Sequence, residues 1–154
     1  MTSLRGGDSL RLTIYADGAA TARAAGAAGA GVVVIDTHRQ VIALANQPLP
    51  VMTNNEAEYA GLLLALVTAL RLGATEVEIR LDSEVVVGQM NGVCAVNSPK
   101  LKPLHSQACE QARRLARVGY HHIPRRQNAL ADALAAEAAA GRVWTSGNPP
   151  LPKG

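Results

Sequence analysis

The chain has no phenylalanine, one tryptophan and three tyrosines among its 154 residues. So few aromatic rings leave little material for an aromatic stacking platform. Cysteine is equally scarce: Cys94 and Cys109 stand fifteen apart, and no C-x-x-C pair occurs. This excludes a zinc ribbon or a disulfide framework and suits a reducing, cytoplasmic setting, with both cysteines expected as small buried residues. The longest apolar stretch, around 62–70, is far shorter than the roughly 20 residues of a membrane span. The positive-then-apolar start of a secretory leader is missing as well, and no internal repeat is seen. What the chain does have is small aliphatic side chains. Hydrophobic residues make up 48%, and alanine alone fills 28 positions. A single soluble intracellular domain is expected, with a closely packed Val, Leu, Ile and Ala core, no membrane contact and no obligate protein partner.

The net charge is only +3, but its distribution is uneven. Between Lys100 and Arg126 lie seven Lys and Arg residues against one acid, Glu110. Such a stretch is either a solubilising helix face or an anion-attracting surface.

Residues 10–17 (LRLTIYAD) alternate as a half-buried strand does. An Ala/Gly-rich connection over 18–31 leads to a second strand at 32–35, and 41–45 form a third, ended by Pro48 and Pro50. Thr53-Asn54-Asn55-Glu56 has the form of a capping box, opening a helix that Gly73 closes. A fourth strand is expected at 76–81, a short helix at 83–90, a longer one at 101–117 and a fifth strand at 120–123. A last helix over 129–140 has Asn128 as its N-cap. The Pro-rich tail, 143–154, and residues 1–9 are expected to be disordered or flexible. The order β-β-β-α-β-α-α-β-α gives an α/β fold: a five-stranded mixed sheet, three antiparallel strands and then two parallel, flanked by helices.

Four acids fall at informative places in this plan. Asp17 ends the first strand and Asp82 directly follows the fourth, where open α/β sheets place their ligands. Glu58 and Asp132 each sit in the first turns of an otherwise apolar helix. Asp82 equally suits a helix cap, Asp132 a dipole-complementing first-turn acid, and Asp17-Gly18 a turn. Glu58 has no such alternative, because Glu56 already suits the capping position. If the four elements adjoin, the carboxylates repel one another unless a divalent cation joins them, and oxygen ligands of this kind are those Mg²⁺ prefers. His121 and His122, adjacent on a strand, face opposite sides and cannot chelate one metal. The GAAGAG stretch runs into a strand instead of a helix, so it is no phosphate cradle.

These residues resemble the type 1 ribonucleases H, in a short branch without the long basic handle. Tyr15-Ala16-Asp17-Gly18-Ala19, Thr53-Asn54-Asn55-Glu56-Ala57-Glu58, Leu81-Asp82-Ser83 and the 128–135 segment NALADALA are similar to four family motifs, in order. The resemblance covers roughly 10–140, gives a ribonuclease H domain over 10–142, and implies an endonuclease that cuts the RNA strand of RNA/DNA hybrids, leaving 5′-phosphate and 3′-hydroxyl ends. It further implies two Mg²⁺ ions, with Mn²⁺ as substitute, on Asp17, Glu58, Asp82 and Asp132, and substrate contacts from Gly18, Thr53, Asn54, Asn55 and Asn128. Double-stranded RNA stays open as a second substrate. Where better-known members carry a mobile histidine, this chain has Pro124-Arg125-Arg126-Gln127, which gives Arg125 product release or a phosphate contact. With no tryptophan in the middle of the chain, Lys100, Lys102 and the following arginines are left to hold the DNA strand by its phosphates, which implies salt-dependent binding.

Overall fold

The computed structural model describes residues 9–20 and 27–147; the remaining parts of the N-terminus, the 18–31 connection and the Pro-rich tail lie outside them. The elements are β1 (Arg11–Ala20), β2 (Ala28–Ile35), β3 (Val41–Leu49), α1 (Asn54–Arg71), β4 (Glu76–Leu81), α2 (Glu84–Met90), α3 (Lys102–Ala112), β5 (Arg117–His122), a 3-10 turn (Arg125–Asn128), α4 (Ala129–Ala139) and β6 (Thr145–Gly147). The sheet order is β5-β4-β1-β2-β3-β6. β1, β2 and β3 pair antiparallel, and β4 and β5 run parallel to β1. The five-stranded mixed sheet read from the sequence is therefore present, with β6 added as a sixth strand at the β3 edge.

Strand β2 is buried on both faces. Leu12, Ile14, Val32, Val34, Val77 and Ile79 pack beneath α1, which contributes Tyr59, Leu62, Leu66 and Ala69. On the opposite face Val33 packs against Ala131 and Leu134 of α4. Double coverage is why β2 reads as a continuous apolar run instead of alternating. No helix among the described residues is long and apolar enough to cross a membrane.

Several boundaries differ from expectation. β1 and β2 extend through the Ala/Gly-rich connection as far as the pair Ala20↔Ala28. Alanine and glycine are weak strand formers, but here closeness to a helix selects them. A methyl group on Gly31 would stand 2.5 Å from the Ala131 carbonyl oxygen of α4. β3 continues past Pro48 to Leu49, because β6 covers only Ala43–Ala45 and the outer edge at Pro48 needs no N–H donor. α3 ends at Ala112 instead of 117, since Arg117 is recruited into β5 by pairing with Glu76. In the segment expected to be disordered, Thr145–Gly147 form β6 against β3. Asn46 fastens this region: its Nδ2 donates to the carbonyls of Leu134 (2.8 Å) and Arg142 (3.0 Å), and its Oδ1 accepts from the Trp144 N–H (2.7 Å). Cys94, expected to be buried, is exposed in the loop after α2, and Cys109 is half-buried.

Candidate active site

The site forms where β1 outruns β4. Pairing between them stops at Tyr15↔Arg80, so Asp17 projects beside the end of β4, and Asp82 follows that end directly. Helix α1 crosses β1 here at very short range. A methyl on Gly18 would run into the Ala57 carbonyl, and one on Gly61 would stand 2.5 Å from the Asp17 carbonyl oxygen. This close approach brings Glu58 against β1, and the Gly18 N–H donates to Glu58 Oε1 at 2.9 Å.

The capping box at the start of α1 is complete: Thr53 Oγ1 accepts from the Glu56 N–H (3.2 Å), and Glu56 Oε1 accepts from the Thr53 N–H (2.9 Å). That backbone bond holds the Glu56 carboxyl below the usual carboxylate range. At α2 the cap is Ser83, whose Oγ accepts from the Val86 N–H at 3.2 Å. Asp82 is thus released from the capping role that the sequence also allowed.

Carboxylate oxygens of Asp17, Glu58 and Asp82 lie within 4.8 Å of one another. Asp17 is 4% and Glu58 6% exposed. Burial is the first cause that drives both above the ordinary range, Asp17 to about 10 and Glu58 to about 7. The Glu58 charge is the next cause for Asp17, followed by a hydrogen bond that the protonated Asp17 carboxyl donates to the Asp132 side chain. For Glu58 the Gly18 N–H pulls the other way and limits the rise. These are the signs expected for acids crowded together without a counter-charge. An all-oxygen carboxylate set of this kind fits a hard divalent cation. Asp132, at the start of α4, borders Asp17 from the rim with its side chain 38% exposed, and Arg125 Nη2 stands 3.8 Å from its Oδ1.

The residues expected at the substrate divide into two groups. Thr53, Asn54 and Asn55 are exposed at the N-terminus of α1. Gly18 and Asn128 are buried and direct these hydrogen bonds inward, toward the carboxylate cluster. The Gly18 N–H is taken by Glu58, and the Asn128 amide donates to the Ala16 carbonyl (2.9 Å) and to Asp82 Oδ2 (3.0 Å). Asn128 does not cap α4 by its side chain either. Gly61 was missed altogether, since a glycine inside an apolar helix gives no sign of the strand it touches. His121 and His122 are exposed, and His121 pairs with Glu78 away from the site.

This arrangement has close counterparts. A family model described as "Reverse transcriptase-like" matches residues 16–138. The N-terminal RNase H domain of a bifunctional protein from Mycobacterium tuberculosis superposes with a TM-score of 0.81 at 40% identity, covering 86% of this chain and 96% of that one. The chain belongs to the ribonuclease H family. The ribonuclease H1 of Halobacterium salinarum superposes with a TM-score of 0.80 at 34% identity, over 85% of this chain and 98% of that structure. A further ribonuclease H1, LC11-RNase H1, solved in complex with RNA/DNA hybrid, gives 0.79 at 36% identity over 84% and 97%. The mycobacterial protein as a whole is 41% identical over 84% of this chain, but the match spans only 35% of its own length. The chain thus spans about a third of those curated relatives.

Proposed function

We propose that this ribonuclease H-family chain is an endonuclease that hydrolyses the RNA strand of RNA/DNA hybrids, leaving 5′-phosphate and 3′-hydroxyl ends. The observation that carries the reading is the cluster of buried Asp17 and Glu58 with half-buried Asp82, and Asp132 at its rim. The hybrid-bound relative supports the substrate class. In this reading the four carboxylates hold two Mg²⁺ ions, with Mn²⁺ as a substitute. Paired divalent ions, when bound, supply charge stabilisation to the entering and leaving oxygens of an in-line displacement.

The chain's own residues prepare that chemistry. The Gly18 N–H orients Glu58, and Ser83 leaves Asp82 unencumbered by capping. Asp132 stands on the solvent side, where water enters. Thr53 at the positive end of α1 suits a DNA-strand phosphate, and Asn54 and Asn55 beside it offer amides to a wide, shallow minor groove. Arg125, with its side chain 82% exposed beside Asp132, is assigned a phosphate contact or product release. The two free cysteines, one of them exposed, suit a reducing cytoplasmic setting.

Cleavage of an end-labelled RNA/DNA hybrid, alongside RNA/RNA and DNA/DNA duplexes, in Mg²⁺, Mn²⁺ and chelator tests the proposal. Metal-dependent cuts confined to the RNA of the hybrid are expected. Cuts in RNA/RNA at a comparable rate would widen the substrate class, and hybrid binding without cutting in either metal would overturn the reading.

A further inference from the structure

Asn128 stands where three carboxylate-bearing parts of the fold meet. It is the last residue of the 3-10 turn and directly precedes α4, four positions before Asp132. Its residue surface is 1% exposed. One side-chain nitrogen serves two acceptors: the carbonyl of Ala16, next to Asp17 in β1, and Oδ2 of Asp82. The two acceptors fix the direction of the amide, because the reversed amide would set its oxygen against a carbonyl and a carboxylate. Its Oδ1 is buried and has no hydrogen-bond partner among the described residues. Buried amides rarely leave an oxygen unmatched. Here the group is oriented by what its nitrogen holds, and neither helix capping nor substrate contact accounts for that.

We propose that Asn128 is a positioning residue for the metal site. It turns the Asp82 carboxylate toward Asp17 and Glu58, and it ties the start of α4, hence Asp132, to β1. Asn128 gives Asp82 an amide donor at 3.0 Å beside its carboxyl–carboxyl contact with Glu58, and without that amide the side chain at this strand end is freer to rotate. Partners that orient metal ligands in this way are worth about 10–100-fold in metal affinity or activity.

The inference rests on the metal-dependent reading above, and the experiment separates the two. Mn²⁺ binding to the free protein, without hybrid, is measured by calorimetry for the parent, Asn128→Ala and Asn46→Ala. Asn46 is a fitting comparison, because its amide also donates to two carbonyls, one of them on α4, yet touches none of the four carboxylates. Both variants are expected to unfold at lower temperature. Only Asn128→Ala is expected to weaken Mn²⁺ binding, by about 10–100-fold, and to lower kcat with KM for hybrid unchanged. Equal Mn²⁺ affinity in Asn128→Ala and parent overturns the positioning role alone. So does an equal loss in Asn46→Ala, which indicates general loosening of α4, or a raised KM with kcat retained, which indicates substrate contact. A parent that binds no Mn²⁺ overturns the metal reading and this inference with it. Should Asn128→Ala not fold, the side-chain amide protons of Asn128 in the parent carry the test by NMR. Slow exchange with water and a shift during Mg²⁺ titration support the role, and exchange as fast as that of an exposed asparagine overturns it.

Discussion

Asp17 and Glu58 titrate above the usual carboxylate range, chiefly because both are buried, and the sign of that shift sets how the metal-free protein responds to pH. An unfolded carboxyl titrates near about 4, so between that value and the raised folded pKa the native state binds more protons than the unfolded one. Stability therefore falls as pH rises through this window. In chelator, the melting temperature should decrease from pH 5 to pH 8 as Glu58, at about 7, is forced to ionise, and Asp17 should extend the loss to higher pH. Mg²⁺ should raise the melting temperature more at pH 8 than at pH 5, because it binds the ionised pair. A flat profile in chelator would contradict the crowding. Asp82→Asn removes a charge from the cluster with little change of shape. Cleavage should drop at least about 10²–10³-fold, the cost of losing one preorganised charge-stabilising group, while hybrid affinity measured in Ca²⁺ stays within a few-fold. Unchanged turnover would remove Asp82 from the machinery. Glu58 was legible because the sequence shows Glu56 engaged in the capping box and so leaves Glu58 over. The direction of the Asn128 amide was not legible: an asparagine before a helix reads as a cap, and only the tertiary neighbours Ala16 and Asp82 reveal otherwise.

The crossing of α1 over β1 determines the distance between Glu58 and Asp17, and Gly61 allows that crossing. In an exposed helix interior, replacing glycine by alanine stabilises by roughly 1 kcal/mol. Here the added methyl would meet the Asp17 carbonyl oxygen at 2.5 Å, and overpacking of this kind costs about 1–3 kcal/mol. The steric cost should win, so Gly61→Ala should lower the urea midpoint and, by moving α1 from β1, reduce cleavage as well. A higher midpoint with full activity would show that the two backbones have room to spare. The same contact logic separates what could be read along the chain from what could not. β4 (Glu76–Leu81) and the start of α1 fell where expected, since strict alternation and a capping box are local signals. The ends of β1 and β2 did not, because Gly29 and Gly31 are selected by the α4 backbone lying over them, a partner about 100 residues away in the chain that no local propensity reports. β6 escaped for a related reason. A three-residue strand next to prolines has no pattern of its own and forms only because β3 offers it an edge.

Charge is the one property that the molecule distributes on a larger length than its site. Lys100, Lys102, Arg113 and Arg114 are all exposed along α3 and its ends, and Glu110 answers only Arg113, at 3.7 Å. Lys100 also lies near enough to the first turn of α1 to lower the Glu56 carboxyl electrostatically. The basic surface therefore reaches the Thr53–Asn55 end of α1, which the proposed function assigns to the DNA strand. With no phenylalanine in the chain and its one tryptophan at position 144, stacking adds little there, and phosphate contacts must supply most of the affinity. Binding of a catalytically silent Asp82→Asn protein to hybrid should then weaken linearly in log affinity against log salt, with a slope of about −0.7 to −0.9 per phosphate contact. Adding Lys100→Gln should reduce that slope by about 1, and Lys102→Gln likewise. Either single substitution in the active protein should raise KM while leaving kcat at saturating hybrid nearly unchanged, because neither lysine touches the carboxylates. A slope that ignores both lysines would make this face a solubilising surface, and the strand would have to be held by the α1 end and Arg125 alone.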